Sequence, residues 1–543
     1  MNIDRRQLVI GTAGAAVALA VPCFGATVQD AADVHIELHA VPDRIELRAG
    51  APTRVWRYKS RLLRGNAGVL DASMLAPVIR VRRGQRVRID LINGLPESTI
   101  VHWHGLHVPE AMDGHPRFAV GPGERYVYDF VVVNRAGSYW FHPHPHGRTG
   151  KQVYAGLAGL FLVSDDEEAA LGLPSGAQDL PLVIQDRKLD ADNQFVYLDG
   201  SIGAGDAAEP ERPGRGMMGG GMMGGGMGGG MMGGRVMGGG MGSMMAAMMG
   251  VLGDRMLING SLQAGRTVER RAYRLRLLNA SNTRSYKLAW HDGTPLTVIG
   301  TDGGLLAAPL QRDYVMLAPA ERVDLWVDFG RWAAGSELTL RSLGWEGGID
   351  MGAMMGGGAA LVDGAAFVVH RFRIGEGAAK TSTLPARLTA IPSAEPRLAV
   401  NFARPKVFEL TMGMMVWGIN GAGFDMLGAT ELETVKLGTQ EIWEFRNDGR
   451  GSMMGMVMPH SMHVHGLQFR VIERSVSRKF ADDYESIKAG LVDEGWKDTV
   501  LVMPGERVRI LLRFADYPGL FLYHCHMLEH EDSGLMRNYR VLA

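Results

Sequence analysis

Three pairs of segments recur along this chain at long intervals, and that recurrence restricts the fold more than any other feature. The first set is VGPGERYVYDFVV at 120–132, LAPAERVDLWVDF at 317–329 and VMPGERVRILLRF at 502–514. Each is a turn followed by alternating apolar positions, such as Val508, Ile510, Leu512 and Phe514, which is the pattern of a half-buried strand. Upstream of each lies a second match: VRRGQRVRIDLING at 81–94, VERRAYRLRLLNAS at 268–281 and VKLGTQEIWEFRND at 435–448. Strand–turn–strand units so far apart indicate three homologous β-sandwich domains, not a solenoid of short repeats. A chain of 543 residues is long enough to give each of them a substantial core.

Beyond the repeated strand the three copies diverge. The first continues GSYWFHPHPHG and the third GLFLYHCHMLEH, whereas the second continues GSELTLRSLG, with no ligand-type residue. The chain has 17 histidines, and ten of them fall in four clusters: His102 and His104; His142 and His144; His460, His463 and His465; and His524, His526 and His530 around Cys525. An isolated His-x-His pair is usually a surface or core feature. Four such clusters, one with a central cysteine, are not. Side chains alternate along a strand, so His524 and His526 face one way and Cys525 the other. One strand can therefore serve two metal centres, and a thiolate with imidazoles is a copper-type ligand set.

In these motifs, and over nearly the whole chain beyond its N-terminal segment, the sequence resembles the multicopper oxidases, the family of laccases, ascorbate oxidase and bacterial periplasmic cuprous oxidases. The resemblance implies an all-β fold of three cupredoxin-like Greek-key β-sandwich domains, with metal sites in the first and third and a spacer between them. Domain limits of 30–170, 175–375 and 395–543 are expected, and the proline-punctuated stretch GEGAAKTSTLPARLTAIPSAEP serves as the second linker. The resemblance also implies four coppers per chain. His460, Cys525 and His530 would hold the type 1 copper, and His102 and His463 the type 2. His104, His142, His144, His465, His524 and His526 would hold the type 3 pair. Ten positions after the cysteine the family places its axial type 1 residue, which here is Leu535, with Met536 as the alternative if the strand register slips at a bulge. The implied reaction takes single electrons from a reductant at the type 1 site and reduces dioxygen to water. Asp113 and Glu531 are the implied proton donors; the competing readings are a hydrogen bond to a ligand for Asp113 and a surface carboxylate for Glu531. His107, His115 and His146 lie outside the family pattern and read as surface histidines.

The reductant is Cu(I) or a small organic molecule. Favouring Cu(I) are the low-complexity insert 214–250, with runs such as GMMGGGMMGGGMGGGMMGG, and further methionines at Met351, Met354, Met355, Met412, Met414, Met415, Met453, Met454, Met456 and Met458. Thioethers are soft donors that select Cu(I). The glycines of the insert supply nothing to pack, so disorder is expected there. A phenol or aryl-amine oxidase of the laccase type, or a copper-storage protein, are the alternatives. The net charge of −1 gives no electrostatic support for nucleic-acid binding. Arg5 and Arg6, an uncharged run to about Ala20 and then small residues read as a twin-arginine export signal over 1–26, cleaved near Ala18–Ala20 or Cys23–Ala26. That apolar run is short for a membrane span, so a periplasmic protein, monomeric and with no stable span, is expected. With two cysteines, one of them in the signal region, no disulfide framework is available.

Overall fold

The structure is a computed structural model that describes residues 32–70, 77–198, 200–202, 249–262, 265–349, 361–380, 382–413, 417–449 and 457–543. The export segment, the insert up to residue 248, and Met351, Met354, Met355, Met414, Met415, Met453, Met454 and Met456 lie outside the described residues.

Of the seven sheets among the described residues, six form three pairs, and the repeated segments occupy equivalent places in them. Strands Arg86–Asn93 and Arg125–Val131 pair antiparallel, as do Ala272–Asn279 with Arg322–Asp328 and Gln440–Arg446 with Glu506–Arg513. Each ladder is flanked by a parallel neighbour: Val34–Ile45, Asp179–Arg187 and Lys406–Met412, respectively. The second sheet of each unit repeats a parallel pair followed by antiparallel strands, as in Val78–Arg82 with Gly159–Ser164, Gly265–Val268 with Phe367–Ile374, and Thr434–Lys436 with Met536–Leu542. The all-β Greek-key sandwich holds in all three units.

The repeat is written in hydrogen bonds as well as in apolar spacing. In each turn a glutamate carboxylate accepts from the backbone N–H three residues earlier: Glu124 from Gly121 at 2.7 Å, Glu321 from Ala318 at 2.8 Å and Glu506 from Met503 at 2.7 Å. The carbonyls of these glutamates accept from the backbone N–H of Asn93, Asn279 and Asn447, near the ends of the paired repeat segments, at 3.0, 3.1 and 2.9 Å. The turn thus closes on itself and on the neighbouring strand, which explains why Glu and Asn recur at these places.

Each unit has its own core. The strand Val34–Ile45 alternates buried and half-buried side chains over its first eight residues, and the first core gathers Trp103, Tyr128, Phe130, Phe141 and Phe161. Tyr273, Trp290, Phe329 and Phe372 fill the second, and Phe408, Trp443, Phe445, Tyr523 and Tyr539 the third. Burial of such side chains contributes roughly 1.5–3 kcal/mol apiece.

Candidate metal centres

The cysteine site is built by three adjacent strands of the third unit. Gly519–Cys525 lies between His460–Val464 and Met536–Leu542, with Met462 opposite Cys525, His463 opposite His524, and Met536 also opposite His524. Residues opposite each other in an antiparallel ladder share a face. Cys525 therefore points into the apolar core with Met462, while His463, His524 and Met536 point the other way. His460 Nδ1 lies 3.4 Å from Cys525 Sγ, and His530 Nδ1, on the short helix Leu528–Asp532, lies 3.7 Å from it. All three residues are buried. The backbone of Leu535 accepts from Cys525 N–H at 2.9 Å and donates to the His530 carbonyl at 2.9 Å. That continues the ladder without a bulge and sets the Leu535 side chain in the same core as Cys525. The register thus sets Leu535 on the Cys525 side and turns Met536 toward the opposite face.

The eight remaining histidines meet between the first and third units, all buried. His102 and His142 are opposed on strands Val101–His104 and Gly137–Pro143. Across the interface His102 Nε2 lies 3.3 Å from His463 Nε2, His142 Nε2 lies 3.3 Å from His526 Nε2, and His144 Nε2 lies 3.3 Å from His524 Nε2. A further contact sets His465 Nε2 3.0 Å from His524 Nε2. The rings of His102 and His465 stack at 3.6 Å, as do those of His104 and His463.

Whether this pocket suits a metal is decided by where the ring protons sit. Nδ1 of His102 donates to the Asp113 carbonyl at 2.6 Å, that of His463 to the Asp498 carbonyl at 2.7 Å, that of His142 to the Pro143 carbonyl at 2.9 Å and that of His524 to the Cys525 carbonyl at 3.1 Å. The Asp113 carboxylate takes His465 Nδ1 at 2.8 Å. With the proton held on Nδ1, the Nε2 atom of each neutral ring carries a lone pair, and these lone pairs face one another. Two lone pairs at such separations repel unless a cation lies among them. Burial also keeps the rings in the neutral, metal-binding form: His142 is lowered to about 3 and His144 to about 4, chiefly by desolvation, against the opposing charge of Glu531. At Cys525 burial pushes the thiol up to about 12, so a cation is what would hold the sulfur as thiolate. The residues fit copper.

Two carboxylates border the pocket. Asp113 is fully buried, and desolvation followed by the charge of Glu110 raises its carboxyl well above the usual range. Glu531 is not the surface carboxylate of the competing reading. It is 1% exposed, with Oε2 3.0 Å from His524 Nδ1 and Oε1 3.6 Å from His144 Nε2. Against the desolvation that would raise it, His144 and His524 hold it below the carboxylate range.

The surface expectation also fails for His115. It is buried, its Nδ1 accepting from Arg117 N–H at 3.2 Å and its Nε2 donating to Asn538 at 2.9 Å, because the third unit packs over it. His107 is half-buried between Asp516 and Gln468 of the third unit, and His146 is exposed.

Sequence reasoning missed Asp498, whose carboxylate accepts from His104 Nε2 at 3.0 Å. That leaves His104 Nδ1 unpartnered, the mirror image of the five rings held through Nδ1. It also missed Trp417, whose ring lies 5.1 Å from that of His530. Neither has a motif signal; both are brought in by tertiary packing.

Three cupredoxin-like sandwiches, with a cysteine site in the third and a histidine pocket between the first and the third, define a metal-dependent redox protein. Profiles of the multicopper oxidase family match residues 58–168 and 399–543. A laccase of Bacillus stratosphericus is 30% identical over 532 residues, covering 90% of this chain and 91% of that protein. The bilirubin oxidase of Albifimbria verrucaria is 28% identical over 87% of this chain and 72% of its own. Among solved structures, the 2F4 variant of the McoA multicopper oxidase from Aquifex aeolicus is 33% identical with a TM-score of 0.72, covering 94% of this chain and 96% of that one. The chain belongs to the multicopper oxidase family, oxidoreductases that use dioxygen and a reducing substrate and carry copper.

Proposed function

We propose that this enzyme oxidises Cu(I), four ions per dioxygen, with four protons consumed and two waters formed, and that it acts in copper tolerance in the periplasm as a monomer exported by the twin-arginine route. The observation that carries this reading is the packing around the cysteine site. Met412 lies opposite Trp417 on paired strands, and Trp417 covers His530. Met249, Met412 and Met458, from three segments distant in sequence, share one core with Trp417 and Cys525. Thioethers at this place suit a soft cation delivering electrons to the cysteine site. Among the described residues, no helix is long and apolar enough to cross a membrane.

His460, Cys525 and His530 would hold the type 1 copper, His102 and His463 the type 2, and His104, His142, His144, His465, His524 and His526 the type 3 pair. These four coppers would supply one-electron redox chemistry. The chain contributes the rest: it excludes water, fixes His102, His104, His142, His463, His465 and His524 through one ring nitrogen each, and joins the two sites covalently, since Cys525 is bonded in the backbone to His524 and His526. Asp113 and Glu531 stand where protons would be passed to the pocket.

A phenol-oxidising, laccase-type enzyme is the second reading, favoured by the apolar Leu535 and by relatives named laccase. The test is oxygen uptake with a stabilised Cu(I) donor against a phenol, in the parent and in a Met412→Leu/Met458→Leu double variant, a swap that conserves volume. Selective loss of Cu(I) oxidation, seen as a higher KM, is expected. Unchanged Cu(I) kinetics with phenol preferred would establish the laccase reading, and Cu(I) binding without oxygen uptake would establish storage.

A further inference from the structure

The middle unit carries no histidine cluster, yet one of its side chains reaches the pocket. Arg322 opens the strand Arg322–Asp328 and is fully buried. All five of its guanidinium N–H groups are used. Nε donates to the Ser138 carbonyl at 2.9 Å, on the strand that bears His142. The other two nitrogens donate to the carbonyls of Ala320 and Asp302, each at 3.0 Å, within the middle unit. They also donate to both carboxylate oxygens of Asp498, at 2.7 and 2.5 Å, in the third. One side chain thus bonds to all three units.

Asp498 is the link from this guanidinium to the histidines. Its Oδ1 accepts from His104 Nε2 at 3.0 Å and from the Thr499 hydroxyl at 2.9 Å, while its backbone carbonyl accepts from His463 Nδ1 at 2.7 Å. The two rings it holds are one of the two stacked pairs, 3.6 Å apart, with one ring from each metal-bearing unit. Room for the ion pair is left by Gly105, beside His104, where a Cβ would fall 2.4 Å from Asp498 Oδ2 and 2.9 Å from Arg322. The arginine itself is a repeat position: its equivalents, Arg125 and Arg507, are exposed. Only the middle copy turns inward.

We propose that Arg322 is a positioning residue for the histidine pocket, its bidentate pair with Asp498 fixing the rings of His104 and His463 for copper. The middle unit is then a working part of the centre and not a spacer. A fork-shaped, permanently charged donor is needed for this, because a buried carboxylate gripped at both oxygens cannot rotate away from His104. Lysine keeps the charge and loses the fork.

The inference rests on the ligand reading above, and copper measurements on the parent separate the two: a parent holding copper only at the cysteine site would overturn both. Given a four-copper parent, Arg322→Lys is compared with it by metal analysis, electron paramagnetic resonance and visible absorption. The expected result is an intact blue band from the cysteine site, an altered type 2 hyperfine splitting, at least tenfold faster loss of the remaining coppers to a chelator, and at least a tenfold fall in turnover at unchanged KM for an organic donor. A folded Arg322→Lys protein with the parental copper ratio, resonance spectrum and chelator rate would overturn the proposal. Should that variant fail to fold, Arg322→Gln/Asp498→Asn, which removes both charges of the bidentate pair together, is read by the same criteria. Failure of both to fold would overturn the positioning role in favour of a purely structural one.

Discussion

Asp113→Asn separates proton handling from ring placement, because asparagine keeps an acceptor oxygen where the carboxylate meets His465 Nδ1 at 2.8 Å and leaves untouched the backbone carbonyl that holds His102 at 2.6 Å. What changes is charge and the capacity to carry a proton. Exchanging a charge-assisted hydrogen bond for a neutral one weakens it by about 1 kcal/mol, roughly a fivefold effect on the site it supports. A positioned acid–base group contributes about 10²–10⁴ in rate, or ~2.7–5.5 kcal/mol on the barrier. The second effect exceeds the first. Turnover with either donor should therefore fall about a hundredfold while copper content, the blue band and the donor KM stay at parental values. Asp113→Ala, which also frees His465, should in addition lose copper. The assays are an oxygen electrode and metal analysis on the same preparations. An Asp113→Asn enzyme with full turnover would refute the proton role, and one that loses copper in step with activity would show Asp113 to be only a support for His465.

Cys525→Ser should abolish the blue absorption and all turnover while copper remains in the histidine pocket; retained colour would contradict the assignment. Leu535→Met should lower the type 1 potential, because a thioether then faces the site, and Met536→Leu should leave it unchanged, since Met536 is opposite His524 on the other face. The reverse pattern in a redox titration would mean that Met536, not residue 535, faces the copper. Asp179, buried between Arg80 of the first unit and Arg276 of the second, is drawn down to about 2 by Arg276, Arg274 and Arg80 against the desolvation that would raise it. A carboxyl lowered on folding stabilises above its unfolded value near 3.8 and loses that contribution as pH falls toward 2, about 2 kcal/mol here. Urea unfolding at pH 5 and pH 2 should show a smaller acid loss in Asp179→Asn than in the parent, and equal losses would exclude the pair as a source of acid sensitivity.

What could be read in the sequence was what is written locally. The paired strands show as alternation, and the histidine clusters show because neighbours on one strand must alternate faces, as His524, Cys525 and His526 do. The family spacing picks out Leu535, and the register puts it on the side of Cys525. Arg322 was not, because it occupies the same repeat position as Arg125 and Arg507, and only the approach of the other two units buries it. Asp498 sits in an ordinary strand approach, and its role arises from the distance to His104. His115 misled because a histidine beside a motif carries no mark of whether another unit will cover it.

The histidine contacts across the interface join residues 361, 380 and 384 positions apart in the chain. Contacts of that separation form late, since most of the intervening chain must be ordered before the two halves can meet. The last strands, Gly519–Cys525 and Met536–Leu542, complete the third unit's sheet and deliver four of the ligand-type side chains together with the short helix between them. A nascent or truncated chain lacking these residues would expose His102, His104, His142 and His144 as a half-site. Maturation therefore has a built-in order, in which the pocket closes only after synthesis has passed the strand Met536–Leu542, and a chain clipped before that strand should behave as a folded first unit with no competent centre.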